Sequence, residues 1–472
     1  MTQTLPQSPW ALSSLALSRS LALGALALSC ALGTPAAEAG PRLKPAKVIE
    51  RLVKGDLPAE EGAGHWRKSR VKPRKALKLL GKRKIRSKRG PGFHEIDLKD
   101  GFKRASTAFL KVPKQPRADG RYGVVIMLHG LGGNGKKVFE LAASLCPEGS
   151  IIVGPTALKP NKDESCEDLP PGDLSKLISR QFPRWWSYGE RSFPLQALRY
   201  LRSTFPIDPN RVVLIGYSMG GFGSWNIGLR YHDLFAGAAP MAGGISRQEY
   251  FLGRDNRSRH LLGNARQLPL WILHGDSDEV VPVRLDRNSV KDLKARGLPF
   301  TYKEVKGGKH VMRDQLEDGP IRRALIEFIT TKVRDPHPVR VEHHAINATH
   351  GGAYWVRIDE LRGKKARVVA VSRDQTIQVV CEGVAKLTLF ADPTLIDATK
   401  PVRFVINGQE VHTGRLAPTL KAIASSLART GDAELTYAHA LTFTTPEDLP
   451  APDAEDWKLG LEIERPSGAG TK

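Results

Sequence analysis

From about residue 96 to residue 334, short apolar runs alternate with segments of helical periodicity. The apolar runs are Tyr122–Leu128, Ser150–Val153, Arg211–Ile215, Gly237–Met241, Leu270–Leu273 and Phe300–Val305. The segments with apolar residues every three or four positions are Pro194–Phe205, Gly220–Tyr231, Arg284–Arg296 and Ile321–Val333. Continuously apolar runs are typical of parallel strands that helices cover on both faces. The alternation predicts a doubly wound, mostly parallel α/β sheet over residues 95–334, with functional side chains beyond the carboxyl ends of its strands.

Beyond residue 334 the pattern changes to short strand-like runs separated by turn residues. These runs are Tyr354–Ile358, Ala366–Ser372, Thr376–Val380, Leu387–Phe390 and Val402–Ile406. Asn407-Gly408 follows the last of them and is a strong signal for a two-residue hairpin turn. We expect a small β-rich domain over 335–445 and a flexible acidic tail over 446–472. Three roles stay open for this domain: binding a polymeric substrate, covering the active site, or extending the fold.

Composition excludes several classes of protein. The chain has 472 residues, of which 40% are hydrophobic, so it can form a sizeable core. Four cysteines, none in a C-x-x-C pair, argue against a disulfide scaffold and a zinc ribbon. No uninterrupted apolar run reaches 18 residues, which excludes a protein with several membrane spans.

The net charge of +23 is concentrated near the N-terminus. Residues 67–89 contain thirteen Lys and Arg and no acid. Few large apolar residues accompany them, so we expect residues 40–94 to be a basic linker. It would be either simply solvated or attached electrostatically to an anionic envelope polymer or a lipid surface. Nucleic acid is the least favoured partner, because Trp66 is the one aromatic residue at the edge of the run.

The first 39 residues have the features of an export signal. Arg19 precedes the apolar stretch Leu21–Gly33, and Ala37-Glu38-Ala39 supplies a small-residue cleavage pattern. We therefore expect a secreted or periplasmic protein, with lipid anchoring through Cys30 as a variant. An oxidising compartment would permit a disulfide between Cys146 and Cys166, although two unrelated thiols fit nearly as well. Cys381 lies among apolar residues and is expected to be a small buried residue.

The segment Gly216-Tyr217-Ser218-Met219-Gly220 is a G-x-S-x-G motif between a predicted strand and a predicted helix. In that context, a sharp turn projects the serine hydroxyl and the glycines avoid steric clashes. The following helix N-terminus favours developing negative charge. Ser218 is therefore the candidate nucleophile.

A candidate acid and a candidate base follow Ser218 in the chain, each after the end of a predicted strand. The strand PLWIL leads into His274-Gly275-Asp276-Ser277-Asp278, and FTYKEV leads into Lys306-Gly307-Gly308-Lys309-His310. These segments supply a carboxylate and an imidazole in the order Ser…Asp…His. We predict His310 as the base and Asp278 as the acid, since Asp278 lies further into the loop than Asp276. Asp276 is expected to be a turn or capping carboxylate.

Other histidines fit structural roles better. His129 and His274 both close strands in His-Gly pairs and are expected to bind loop backbone. His337, His343, His344 and His350 lack metal-ligand spacing and fit a solvated or interdomain surface.

The oxyanion of a tetrahedral intermediate needs two N–H donors. The predicted donors are the backbone N–H of Met219 and that of Leu131, in the glycine-rich loop HGLGGNG. This loop is not a phosphate loop, because its Lys136 is followed by lysine instead of Ser or Thr. Pocket candidates are Trp185 and Trp186, for which scaffold packing fits equally well, and Tyr217. Trp225 is expected in the core.

The motifs HGLGGNG, DPNRVVLIGYSMGGFGSW, HGDSDEVVP and GGKH together resemble the α/β-hydrolase superfamily. Within it, residues 95–334 are similar to the polyester-depolymerase and feruloyl-esterase-like branch and to the phospholipase/carboxylesterase branch. The resemblance implies a serine esterase that needs no metal or organic cofactor and acts on an ester, with a polymeric or carbohydrate-linked ester as one option. A peptidase of the prolyl-oligopeptidase type and a non-catalytic envelope-binding protein are the alternatives.

Overall fold

The central sheet has eight strands in the order β1-β2-β4-β3-β5-β6-β7-β8. Their bounds are β1 Gly92–Lys99, β2 Ala105–Val112, β3 Tyr122–Leu128, β4 Ser150–Pro155, β5 Ile207–Tyr217, β6 Gly237–Met241, β7 Leu270–Gly275 and β8 Phe300–Val305. Neighbours from β4 through β8 pair in parallel, whereas β2 pairs antiparallel with both β1 and β4. This strand order confirms the predicted α/β-hydrolase fold.

The computed structural model describes residues 43–158, Trp185 and residues 193–463, with gaps. The gaps are 86, 88, 100–103, 146, 247–248, 251–252, 254–256, 312–315, 317–318 and 448. The expected signal segment, the Cys146–Cys166 pair and Trp186 lie outside the described residues. None of the described helices is long and apolar enough to cross a bilayer.

Helices cover both faces of the sheet. They are α4 Gly135–Leu145, α5 Phe193–Thr204, α6 Met219–Arg230, α7 Arg284–Ala295 and α8 Pro320–Thr331. Alternate residues of β3 divide between two apolar clusters: Ile126 belongs to the cluster that includes buried side chains of α5, α6 and α7, and Met127 to the cluster that includes those of α4 and α8. The predicted parallel strands and helices thus occur within one or two residues of their expected bounds, except that β4, β5 and β7 are longer. The edge hairpin β1–β2 was not predicted.

The expected linker over 40–94 is wrong for most of its length. Three helices occupy it: α1 Pro45–Lys54, α2 Ala59–Lys68 and α3 Pro73–Gly81. Their buried side chains pack with those of α9, Leu420–Thr430, in a separate apolar cluster that includes Leu52, Trp66 and Leu427. The apolar residues here are few, but helical spacing collects them on one face, and α9 supplies the matching face from far along the chain.

Arg199 on α5 ties this helical layer to the rest of the protein. Its buried guanidinium donates to the carbonyls of Leu52 and Val53 at 3.4 and 3.3 Å, and to the carbonyls of Ala428 and Arg429. One cation therefore caps the carboxyl ends of both α1 and α9, where unpaired carbonyls favour positive charge.

Trp66→Ala tests the corrected description of this segment. Trp66 is fully buried and its indole N–H donates to the carbonyl of Pro45 at 3.2 Å. We expect the substitution to lower the free energy of unfolding by about 3–5 kcal/mol, measured by chemical denaturation. Arg67→Ala, at the exposed neighbour, should change it by less than about 0.5 kcal/mol. Equal, small effects would contradict the packing described here.

The C-terminal region forms two smaller sheets, as predicted in outline. Their orders are β10-β11-β14-β17 and β16-β15-β13-β12-β9. The strands are β9 Arg340–Ala345, β10 Gly352–Ala353, β11 Val356–Leu361, β12 Ala366–Arg373, β13 Thr376–Glu382, β14 Val384–Ala391, β15 Val402–Ile406, β16 Gln409–Gly414 and β17 His439–Thr444. Asn407 and Gly408 both have positive φ angles, 46° and 78°, as a type I′ hairpin turn requires. Cys381 on β13 is free and buried, as predicted.

The C-terminal sheets share their apolar core with the central sheet. One cluster contains Leu214 of β5 together with Val341 of β9 and Leu389 of β14. Buried ion pairs add to this contact: the Asp432 carboxylate lies 2.8 Å from the Arg334 guanidinium and 3.2 Å from that of Arg202. These contacts support the third expected role of the region, extension of the fold.

The predicted histidine cluster lies at this junction. His343, His344 and His350 are buried, and the rings of His343 and His232 stack, with their nitrogens 3.1 Å apart. Burial lowers the pKa of His343 well below its ordinary value and that of His232 to about 4. The sequence predicts either a solvated or an interdomain surface for these histidines, and the interdomain surface describes His343, His344 and His350. In the part of the chain that the structure describes, no group of His, Cys, Asp and Glu is arranged to hold a metal ion.

The expected flexible tail is wrong for residues up to 463. Short 3₁₀ turns lie at Asp456–Lys458 and Leu461–Ile463. The carbonyl of Leu459 accepts a hydrogen bond from Arg340 at 2.7 Å, and the Arg367 guanidinium lies 4.0 Å from the centre of the Trp457 ring. The acidic, Pro-containing composition is typical of a solvated tail. It does not reveal these contacts, because their partners lie about 90–120 positions away in the sequence.

Candidate active site

Ser218 lies in the turn between β5 and α6. Its φ and ψ angles, 57° and −119°, are unfavourable for a residue with a side chain, and its N–H donates to the carbonyl of Met241 at 2.9 Å. Neighbouring backbone leaves no room beside the turn: a Cβ at Gly216 would lie 2.0 Å from the Gly220 carbonyl oxygen, and one at Gly220 2.1 Å from that of Leu128. The two glycines of the motif are therefore a steric requirement of this turn.

His310 and Asp278 form a hydrogen-bonded chain with Ser218. The Nε2 atom of His310 lies 2.9 Å from the Ser218 Oγ, and its Nδ1 atom lies 2.6 Å from the Asp278 Oδ2. With the imidazole proton on Nδ1, the ring donates to the carboxylate and accepts from the serine hydroxyl. His310 follows β8 and Asp278 follows β7, so the parallel sheet brings both to its carboxyl edge beside the turn that carries Ser218.

The Asp278 carboxylate is held by more than His310. Its Oδ1 accepts the backbone N–H groups of Val280 and Val281 at 2.9 and 2.8 Å. Burial opposes ionisation, but hydrogen bonds from His274, His310 and the Val281 N–H outweigh it and keep the pKa of Asp278 well below its ordinary value.

Asp276, two residues earlier, is engaged elsewhere. Its Oδ1 accepts the backbone N–H of Gly307 at 2.7 Å and the hydroxyl of Ser277 at 2.8 Å. These bonds connect the loops after β7 and β8, which is the turn role expected for it from sequence.

The glycine-rich loop lies against the serine turn. A Cβ at Gly130 would come 3.3 Å from the Cβ of Ser218, so Leu131 follows a residue in direct contact with the candidate nucleophile. Met219 comes directly after Ser218 and is the first residue of α6, where N–H groups have no partner within the helix. The structure thus brings both predicted oxyanion donors to the neighbourhood of Ser218.

His129 and Trp185 hold the backbone of this loop through hydrogen bonds. The His129 Nδ1–H donates to the Gly130 carbonyl at 2.7 Å, and its Nε2 accepts the Ala157 N–H at 3.0 Å, so the ring is neutral. Burial lowers its pKa, which favours the same state. The indole N–H of Trp185 donates to the His129 carbonyl at 2.9 Å. His129 therefore has the backbone-binding role expected for it.

The pocket candidates have different outcomes. Trp185 is 1% exposed, so its role as a pocket wall is wrong and the alternative of scaffold packing describes it. Tyr217 is half-buried and its ring centre lies 5.0 Å from that of His310, beside the reacting groups. Tyr217 remains a pocket candidate.

Sequence reasoning missed a second hydrogen-bonded group behind Asp278. His274 does bind loop backbone, since its Nε2 lies 2.8 Å from the Val281 carbonyl oxygen, but its Nδ1 also lies 2.7 Å from the Asp286 Oδ2. Trp225, correctly expected in the core, donates its indole N–H to the Asp286 Oδ1 at 2.9 Å. Asp286 belongs to the first turn of a predicted helix, where a carboxylate is ordinary, so its sequence position carried no signal.

Comparison with known proteins finds similarity to esterases over part of the chain. A family model described as "Putative esterase" matches residues 101–315. Poly(3-hydroxyalkanoate) depolymerase C of Paucimonas lemoignei is 32% identical over 94 residues, covering 20% of this chain and 20% of that protein. An uncharacterized secreted protein of Arthroderma benhamiae is 29% identical over 116 residues, covering 21% of this chain and 12% of that protein. The chain therefore spans a fifth or less of the length of these curated relatives.

Among solved structures, a ferulic acid esterase from Anaeromyces mucronatus is 20% identical, with a TM-score of 0.38, covering 53% of this chain and 93% of that chain. The family match lies within the region whose motifs carry the resemblance to esterases of the α/β-hydrolase superfamily. That resemblance is confirmed.

Proposed function

We propose that this esterase-family α/β-hydrolase cleaves carboxylic esters through an acyl-enzyme formed on Ser218. The observation that carries the proposal is the continuous chain from Ser218 through His310 to Asp278, with spacings of 2.9 and 2.6 Å. Such spacings suit transfer of the serine proton as the hydroxyl attacks a carbonyl carbon. Asp278 would fix the tautomer of His310 and stabilise its charged form.

Groups of the chain itself move the protons and stabilise the charge, and water is the second nucleophile. His310 takes the Ser218 proton, and the N–H groups of Leu131 and Met219 stabilise the oxyanion of the tetrahedral intermediate. His310 then protonates the leaving alcohol, which leaves the acyl group on Ser218. A water molecule gives its proton to His310 and attacks the acyl carbonyl, which releases the acid and regenerates the serine.

The proposed substrate is an ester, and a polymeric or carbohydrate-linked ester is its proposed form. The family match supports an ester, and the named activity of the polyhydroxyalkanoate depolymerase relative supports the polymeric form. Tyr217, beside His310, would then contact the acyl or alcohol group next to the scissile bond.

The direct test is hydrolysis by the purified full chain. We expect turnover of a panel of p-nitrophenyl, feruloyl and acetylated-sugar esters, and covalent labelling of Ser218 by a fluorophosphonate probe. Including peptide anilides in the panel separates an esterase from the peptidase alternative. No labelling and no turnover would favour the non-catalytic alternative.

Export and attachment to an anionic surface form a second part of the proposal. Exposed cations of α2, α3 and the adjoining turns make a basic helical face, which consists of Arg67, Lys68, Arg70, Lys72, Arg74, Lys75, Lys78, Lys82 and Lys84. The underlying apolar side holds these helices against α9, so the cations are presented on an ordered surface. Such a face fits closely spaced anionic groups of an envelope polymer or lipid surface.

Charge removal tests the basic helical face better than deletion does, because the helices belong to the core. We expect replacement of Lys72, Arg74, Lys75 and Lys78 by Gln to weaken binding to anionic phospholipid vesicles by about tenfold or more. Ester turnover should stay within about threefold, because these positions lie outside the site.

The matched control replaces four exposed lysines elsewhere, Lys291, Lys294, Lys364 and Lys365, and should bind like the parent protein. Binding is measured by vesicle sedimentation at rising salt, which should weaken it, because exposed charges are screened beyond about 8 Å at physiological ionic strength. A soluble anionic polysaccharide added as a competitor separates a polymer from a lipid surface. Equal losses in both variants, or salt-independent binding, would contradict this attachment.

A further inference from the structure

His274 lies behind the proposed catalytic acid and contacts two carboxylates. It closes β7, and its side chain is fully buried between Asp278, four residues later, and Asp286 in the first turn of α7. Its Nδ1 lies 2.7 Å from the Asp286 Oδ2, and its Nε2 lies 2.8 Å from the Val281 carbonyl oxygen and 3.5 Å from the Asp278 Oδ2.

The partners determine how this ring is protonated. A carbonyl oxygen only accepts, so Nε2 carries a proton and donates it to the Val281 oxygen, with the Asp278 Oδ2 further away at 3.5 Å. Asp286 already accepts the indole N–H of Trp225 at 2.9 Å, and also a backbone N–H of Gly243. Burial raises the pKa of Asp286, but these two donors and the His274 ring oppose that rise and favour the carboxylate form, which places a second proton on the Nδ1 of His274.

The expected titration of the ring agrees with this arrangement. Burial alone would lower the pKa of His274, but its hydrogen bonds to Asp278 and Asp286 raise it to about 10. Such a pKa favours the imidazolium form at neutral pH. It is a buried positive charge with a carboxylate on either side.

We propose that His274 is a positioning residue for the reaction, a buried imidazolium that orients Asp278 and keeps it ionised for His310. The inference rests on the proposed function, because Asp278 has a catalytic use only if His310 is the base. Four polar contacts then connect the helix behind the nucleophile to the site: Trp225 to Asp286, Asp286 to His274, His274 to Asp278, and Asp278 to His310.

The two effects proposed for His274, on the ionisation and on the orientation of Asp278, each have a physical basis. A desolvated carboxylate without a nearby cation tends to take up a proton, and a protonated Asp278 would no longer stabilise the charged form of His310. In addition, His274 anchors Val281, whose N–H binds the other oxygen of Asp278 at 2.8 Å. Loss of His274 would therefore disturb the charge and the orientation of the acid together.

The other groups that titrate near His274 are few among the described residues. Asp278 and Asp286 touch it directly, and His310 lies beyond Asp278. From β8, Glu304 interacts with His274 through space and Tyr302 with Asp286. The Glu304 carboxylate is itself paired with the Arg287 guanidinium.

The first experiment compares His274→Gln and Asp286→Asn with His260→Gln in the full chain. We expect kcat for a small ester to fall by about 10–100-fold in the first two variants, with KM nearly unchanged, because a hydrogen bond to a charged group is lost away from the substrate. The acid limb of the pH–rate profile should move to higher pH in His274→Gln, because Asp278 loses a positive neighbour and binds a proton more tightly.

His260 supplies the matched control, since it is a part-buried histidine bound to a backbone carbonyl, that of Ala366, at 2.9 Å. His260→Gln should lower thermal stability without moving the pH–rate profile. A His274→Gln protein that loses stability alone, with an unchanged profile and kcat, would reduce His274 to a structural residue and overturn the proposal.

The second experiment needs no turnover and so separates this inference from the proposed function. In protein labelled with ¹⁵N-histidine, the His274 ring should show two protonated nitrogens at pH 8, in a signal that Asp286→Asn alters. A neutral His274 ring at that pH would overturn the inference even in an active esterase. A charged ring in a protein without esterase activity would leave the charge assignment standing and refute the proposed function instead.

Discussion

Ser218→Ala is expected to reduce ester turnover by about 10⁴-fold or more while the protein stays folded. The substitution removes the atom that would form the acyl-enzyme, so His310 has no hydroxyl to activate. The donors proposed for the oxyanion are backbone groups of Leu131 and Met219, and they stay in place. The measurement is hydrolysis of a short-chain p-nitrophenyl ester, with thermal unfolding recorded on the same sample.

Ser277→Ala is the control for this substitution. Its hydroxyl donates to the neighbouring Asp276 at 2.8 Å, in a loop near the site but outside the proposed proton path. We expect its turnover to stay within about threefold of the parent, because surface substitutions of this kind have small effects. Undiminished turnover in Ser218→Ala would refute Ser218 as the nucleophile.

Most of the central sheet could be predicted because its signals are local. The predicted runs at β3, β6 and β8 have the same bounds in sequence and structure, because turn residues flank them. The strands β3 and β6 are almost completely buried, whereas β8, at the edge of the sheet, is partly exposed. The candidate site could be predicted for the same reason. Ser218 directly follows β5, and Asp278 and His310 lie in the loops after β7 and β8. Parallel strands place their carboxyl ends along one edge.

The helical layer at the N-terminus could not be predicted from its own residues. Residues 67–89 contain many cations and few apolar residues, a composition that indicates too little apolar surface to form a core. Their burial depends on α9, more than 300 positions later, and on Arg199 between them. Local composition carries no information about a partner so distant in sequence.

The contact between His274 and Asp286 was hidden in a different way. Each residue has an ordinary local explanation, one as the end of a strand and the other in the first turn of a helix. Their chemistry arises only when the loop after β7 folds back and buries both side chains completely. The sequence indicates which residues end strands, but the two carboxylates that would keep a buried histidine charged come together only in the packed structure.

Asp278→Asn and Asp276→Asn form the sharpest test of the acid, because the two residues lie in one loop and the changes are identical. We expect Asp278→Asn to lower kcat by about 10⁴-fold, the magnitude seen for the corresponding change in a serine protease. The new amide keeps the size of the side chain, but its NH₂ can donate to the Nδ1 of His310. That bond would place the ring proton on Nε2, and Nε2 could then no longer accept a hydrogen bond from Ser218.

Asp276→Asn should reduce kcat by no more than about tenfold, because it affects only the bonds to Gly307 and Ser277 that join two loops. Steady-state kinetics on the same ester ranks the two variants, with the melting temperature as the check on folding. The opposite ranking would transfer the acid's role to Asp276 and require the loop after β7 to rearrange during catalysis, since Asp278, not Asp276, lies 2.6 Å from His310.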